Sequence, residues 1–196
     1  MRSAVVALIA VAVLAGCGSD PRPAAPGDAA PATAVTAPVG ASAEHNGTDV
    51  MFLQMMIVHI GQGSELARIA ADRATDGEVR TLAQAISATQ AEEAAMMTGW
   101  LTGWSEPVAA QHDPAAHASH GGLPAVSADQ VRGLSAAPPA DVDRMFLTLM
   151  IGHQHNAVEW TDEVAAGGRN PETKELARRV RESRADQIAL MLRLSA

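Results

Sequence analysis

The chain writes one apolar phrase twice. "DVMFLQMMIVH", Asp49 to His59, and "DRMFLTLMIGH", Asp143 to His153, agree at Asp, Met, Phe, Leu, Met, Ile and His, at a constant offset of 94 residues. The offset continues without a gap, because "LAQAISATQAEEAAMM", Leu82 to Met97, lies over "LARRVRESRADQIALM", Leu176 to Met191. A helix with one apolar stripe must bury that stripe against another element. Two copies of one amphipathic unit therefore point to two like halves packed face to face.

Each unit carries helical periodicity. Phe52, Met55, Met56, His59, Gly63 and Leu66 share one stripe, and Phe146, Leu149, Met150, His153, Ala157 and Trp160 share its copy. The second helices carry Ile86, Gln90, Glu93, Met97 and Trp100, then Val180, Arg184, Gln187, Met191 and Leu194. Asp76 is placed to cap one helix, and Asn170 with Pro171 to cap and open another. Gly167 and Gly168 are expected to end the preceding helix in left-handed conformations. "SADQ", Ser127 to Gln130, reads as a capping box that opens a short helix ending near Leu134. No stretch reads as a strand. The expected fold is all-α: a four-helix bundle with pseudo-twofold symmetry, made of hairpins 49–104 and 141–196 joined by a linker, 105–140.

The N-terminal segment has a different composition. Arg2, the apolar run "AVVALIAVAVLA" and the small-residue stretch before Cys17 read as a signal peptide over residues 1–16. "LAGC" resembles a bacterial lipobox. That resemblance implies cleavage before Cys17, a lipid on its sulfur, and export to the outer face of a bacterial membrane, held there by the anchor. Residues 17–48 are rich in Pro and Ala and read as a disordered tether. Asn46 opens an Asn-Gly-Thr sequon, which carries no weight in a bacterial chain. Cys17 is the only cysteine, so the fold has no disulfide, and any soft metal ligands must be Met or His. A formal net charge of −8 argues against nucleic acid and against adhesion to anionic lipid.

Counting outward from the hairpin turns places His59 opposite Gln90, with Glu93 a turn beyond, near Met56. His153 falls opposite Arg184, with Gln187 near Met150. The six polar residues form one mid-bundle layer, rimmed by Met55, Met56, Met97, Met150 and Met191. Buried polar groups cost roughly 1–3 kcal/mol each unless satisfied. Two arrangements satisfy them. In one, Glu93 pairs with Arg184 and each histidine with a glutamine or a carbonyl, so the layer only fixes packing register. In the other, a metal is held by His59 and His153 as nitrogen ligands and by Met56 and Met150 as thioether ligands. Glu93 then acts as a ligand or as the acceptor that orients an imidazole. Imidazole with thioether favours copper, Cu(I) above all, and a carboxylate ligand would admit Cu(II) or zinc. Arg184 opposes this reading, because a guanidinium repels a cation.

Outside the layer, His112, His117 and His120 in the linker suit weak binding of Cu(II), Zn or Ni, or a solvated loop. His155 and Glu159 read as a surface pair. The chain lacks Glu-x-x-His, Gly-x-Ser-x-Gly, phosphate-loop and His-Glu-x-x-His motifs, so no catalytic role is expected.

The pattern F-x-x-x-M-I-x-H is carried by Phe52, Met56, Ile57 and His59, and again by Phe146, Met150, Ile151 and His153. With Q-x-x-E-x-x-x-M-x-x-W-L at Gln90, Glu93, Met97, Trp100 and Leu101, it resembles the domain of unknown function 305 family from Asp49 to the C-terminus. The resemblance implies a ferritin-like helical bundle, usually exported, and some members are associated with copper binding and copper tolerance. This chain departs from the family at Ile60 and Gln154, where a second histidine is usual, and at Arg184 and Gln187 in the second half. Its linker also lacks the methionines common in the family. The expected function is a non-catalytic cell-envelope lipoprotein that binds a metal ion, copper first, for storage, buffering or handover. The alternative is a structural or protein-interaction module.

Overall fold

The computed structural model describes residues 40–109 and 126–196. The signal segment, Cys17 and the three linker histidines, His112, His117 and His120, lie outside the described residues. Five helices follow one another: α1 Gly47–Arg73, α2 Gly77–Gly103, α3 Ala128–Ala136, α4 Pro139–Gly167 and α5 Pro171–Leu194. The long four form two hairpins, α1 with α2 and α4 with α5. The hairpins meet chiefly through α1 and α4, while α2 and α5 approach closely at few places. The short α3 lies against α1 and α4. The chain is an all-helical bundle, and among the described residues no strand occurs. Nor is any described helix long and apolar enough to cross a membrane.

Local sequence chemistry sets the helix ends. Asp76 and Asn170 cap α2 and α5, their side chains accepting from backbone N–H groups of the first turns. Ser127 and Gln130 complete the capping box of α3. A second capping box opens α1: the Asn46 side chain accepts from Thr48 and Asp49, and the Asp49 carboxylate accepts from the Asn46 N–H at 2.9 Å. The residue that starts the sequon is therefore a helix cap. At the other end of α2, Ser105 at φ 62° takes the left-handed conformation, and the Glu106 N–H donates back to Leu101 O at 2.9 Å.

One expectation is corrected at the end of α4. Neither Gly167 nor Gly168 is left-handed, and Gly168 leaves the helix extended, at φ −67° and ψ 152°. Space is the reason for glycine there. A Cβ on Gly168 would lie 2.6 Å from the Val164 carbonyl oxygen and 2.7 Å from Asp49 Oδ1.

That contact belongs to a reciprocal clamp. Asp49 Oδ2 accepts from the backbone N–H groups of Arg169 and Asn170, at 2.9 and 3.0 Å, in the turn of the second hairpin. Asp143, its copy in the repeat, accepts from the N–H groups of Thr75 and Asp76, both at 3.0 Å, in the turn of the first. Each half of the repeat thus holds the other half's turn. A carboxylate accepting backbone N–H bonds makes charge-assisted hydrogen bonds, about twice as strong as neutral ones. The repeated phrase begins with aspartate because both turns need this acceptor.

The packed part begins earlier than residue 49. Asn170 Nδ2 donates to Ser42 O and Glu44 O, Trp104 Nε1 donates to Ser42 O, and the His45 ring stacks on Trp104 with centroids 4.3 Å apart. Residues 42–46 therefore lie along the bundle end beside the turn between α4 and α5.

The apolar core is divided. One cluster includes Leu66, Ile86, Leu134, Phe146, Met150 and Met191, with α3 contributing Leu134. The other includes Phe52, Met56, Met97, Trp100, Trp160 and Val180. Residues N-terminal to His59 on α1 pack with residues C-terminal to His153 on α4, as antiparallel helices require. The polar layer lies between the two clusters.

Candidate functional site

At the α1–α4 crossing, His59 and His153 are buried, 1% and 2% exposed. Their rings are stacked, centroids 3.6 Å apart and planes within 4°. Trp160 meets His59 edge-on at 5.0 Å. The room for His153 comes from Gly63 on α1. A Cβ there would sit 2.5 Å from His153 Nε2, 2.9 Å from its Cδ2 and 3.0 Å from Gln90 Oε1. Periodicity places Gly63 on the buried stripe but does not reveal that an imidazole from the other hairpin occupies the space above it.

The other layer residues gather around this pair. Gln90 and Arg184 are fully buried. Arg184 Nη2 forms a short ion pair with Glu93 Oε2 across the gap between α5 and α2. Gln154, also fully buried, donates through Nε2 to Gln187 Oε1 at 2.5 Å. Gln154 is a member the sequence reading missed. The signal was present: Leu147, Met150, Gln154, Ala157, Thr161 and Val164 follow a three-four spacing and are all buried. His155 and Glu159 are exposed, as expected from their positions.

Satisfaction of the layer is partial. His59 Nε2, both ring nitrogens of His153, both amide atoms of Gln90, and Arg184 Nε and Nη1 are buried without a hydrogen-bond partner. Orphans of this kind are rare in native interiors, where water or an ion usually meets them. Burial, the neighbouring His153 and then the Arg184 guanidinium hold the His59 imidazole well below its ordinary basicity. Burial and then Arg184 push His153 down to about 4. Both rings are neutral at pH 7, which is the ligand form of imidazole.

Of the five residues singled out as metal ligands, His59 and His153 come together directly. Met56 and Met150 are both fully buried, each one helical turn before its histidine, but they belong to the two different apolar clusters. Glu93 is engaged by Arg184. Among the described residues, no three His, Cys, Asp or Glu side chains converge as a group that could hold a metal ion. Beside the pair, a cleft of about 390 Å³ between α3 and α4, lined by Val126, Gln130, Leu149, Gly152 and His153, connects the layer with the surface.

Comparison with known proteins agrees with this architecture. A DUF305 protein fragment from Deinococcus radiodurans is 30% identical and superimposes with a TM-score of 0.66, covering 80% of this chain and 97% of that one. A DUF305 protein from Streptomyces coelicolor, described as secreted, is 32% identical with a TM-score of 0.70, covering 75% and 91%. CopM in its Cu(I)-bound form is 25% identical with a TM-score of 0.61, covering 76% and 96%. Its Cu(II)-bound form gives 27%, 0.64, 75% and 95%. No curated protein matches the chain. The profile of the domain of unknown function DUF305 matches residues 49–195, nearly all of the bundle, and the chain belongs to the DUF305 family.

Proposed function

We propose that this protein binds a soft metal ion, copper first, at the histidine layer, and that it stores, buffers or hands over the ion without catalysing a reaction. One observation carries the reading. Two neutral imidazoles from the two hairpins are stacked in the core, with His59 Nε2 and both His153 nitrogens free of protein partners. The donor set fits. His59 and His153 would supply nitrogen, and Met56 and Met150 would supply thioether sulfur. When bound, Cu(I) would accept these neutral donors and satisfy buried atoms that otherwise lack partners. Glu93 stands one residue back, held by Arg184, as an acceptor able to orient a neighbouring group. The copper-bound and silver-bound CopM structures support the same class of ligand.

The reading extends to location. The secreted relative supports a place outside the cytoplasm, and the lipobox-like stretch ending at Cys17 supports a lipid anchor on the outer face of the membrane. Export and anchoring through Cys17 are tested by metabolic labelling with a palmitate analogue, which Cys17→Ala should abolish.

A second reading keeps the layer purely structural. It is favoured by the Arg184–Glu93 and Gln154–Gln187 pairs, which already fix the register of the helices. An anaerobic Cu(I) competition titration of the full chain separates the two, run beside a variant with His112, His117 and His120 changed to Ala. Tight stoichiometric binding that survives the linker change supports the bundle site. Binding that is absent, or that disappears with the linker histidines, leaves the structural reading.

A further inference from the structure

Resting on the metal-binding reading, we infer that Arg184 selects the charge of the ion, making the histidine layer favour a monovalent soft ion over a divalent one. Arg184 occupies the position that Gln90 holds in the first repeat. One side of an otherwise duplicated layer has therefore acquired a permanent positive charge. That charge is fully buried, and Nε and Nη1 of the guanidinium have no protein partner. Glu93 engages only Nη2 and is itself partly exposed, at 13% of its side chain. By the 94-residue offset Arg184 takes on α5 the place of Gln90 on α2, whose Oε1 shares with the His153 ring the space above Gly63, and α5 packs along α4, which carries His153.

The consequence follows from Coulomb's law. A cation taken up beside the imidazoles meets the guanidinium in a medium far less polarisable than water, and the repulsion scales with the ion's charge. A divalent ion meets it twice over. The ligands cannot offset the difference, because two imidazoles and two thioethers are neutral, and neutral soft donors favour Cu(I) or Ag(I) already. Donor type and buried charge thus select in the same direction, and Arg184 is a specificity-determining residue that need not touch the metal.

The test compares Ag(I) with Zn(II), two ions that do not change oxidation state, in competition titrations. The full chain carries Ala at positions 112, 117 and 120, so that linker histidines do not hold zinc. Arg184→Gln restores the residue of the first repeat and should lower the ratio of silver to zinc affinity by at least about tenfold. Glu93→Gln, which leaves the guanidinium uncompensated, should raise the ratio. Circular dichroism checks each fold. Should Arg184→Gln not fold, the Arg184→Gln/Glu93→Gln pair, which removes both buried charges, is the substitute and should also lower the ratio. An unchanged ratio in folded variants overturns the role of Arg184 while leaving metal binding intact. Failure of the parent chain to bind silver overturns the metal reading, and this inference with it.

Discussion

His59 and His153, 94 residues apart in sequence, lie face to face with ring centroids 3.6 Å apart, both buried in the bundle. The pseudo-twofold relation between the hairpins brings the two rings to one place, and burial together with Arg184 keeps them uncharged. Four predictions follow from the groups around this pair and from the clamps that align the hairpins.

Acid should destabilise the metal-free protein from about pH 6.5 downward. The unfolded histidines titrate near 6.5, and the folded His153 near 4. Between these values the unfolded chain binds more protons, so the stability present above about pH 6.5 is lost as the pH falls through about 4. The gap for His153 corresponds to about 3 kcal/mol, and His59 adds to the loss in the same direction. Urea denaturation at pH 7.5 and pH 4.5 measures it. The His59→Leu/His153→Leu variant should lose much less between the two. Equal losses in both proteins would contradict the assignment of buried neutral rings.

Gly63 should be intolerant of even a methyl group. Its added Cβ would come within 2.5 Å of an imidazole that is itself enclosed, so the ring must shift or the helices part. Gly63→Ala should cost about 1–3 kcal/mol, as overpacking does. Gly61, about half a turn away on the exposed face, has nothing within 4 Å of an added Cβ. Gly61→Ala should stabilise by about 0.5–1 kcal/mol through helix propensity. Thermal unfolding of the two variants compares them, and similar shifts would remove the special role of Gly63.

The Arg184–Glu93 pair should matter more when broken than when removed. Arg184→Leu leaves the Glu93 carboxylate in the interior without its partner and should destabilise by about 3 kcal/mol. The Arg184→Leu/Glu93→Leu variant should come back to within about 1 kcal/mol of the native protein. A double-mutant cycle gives the answer, and additive losses would mean that the two side chains act independently.

The aspartate clamps should be unequal. Asp49 is fully buried and accepts three backbone N–H groups, from Asn46, Arg169 and Asn170. Asp49→Ala strands them and should cost about 2–3 kcal/mol. Asp143 is only half-buried, where water can replace it, so Asp143→Ala should cost about 1 kcal/mol. Chemical denaturation of both variants tests the order, and a larger loss for Asp143→Ala would reverse the account of the two turns.

The sequence revealed the architecture because duplication and helical periodicity act locally. Asp76, Asn170 and the Ser127–Gln130 box cap their helices as their residue types dictate, and the helical stripes put Gln90 and Arg184 on buried faces. What it left hidden depends on contacts between hairpins, where no local rule operates. Gly63 and Gly168 each make room for a side chain from the other half of the repeat, His153 and Asp49, so their roles appear only once the halves are docked. The clamps were hidden for the same reason. A leading aspartate reads as an N-terminal helix charge, and its partner turns lie about 70 and 120 positions away. Gln154 is hidden because it stands beside His153, and the three-four spacing runs through both.

The stacked histidines are proposed as a metal site and not a register device. The most direct measurement is the Cu(I) stoichiometry and affinity of the full chain and of its His59→Leu/His153→Leu variant, determined anaerobically, with His112, His117 and His120 replaced by Ala in both. One tightly held ion is expected in the parent chain, and loss of that ion in a variant that remains folded and at least as stable. An identical copper affinity in both proteins would contradict it, and would leave the two histidines as packing between duplicated halves.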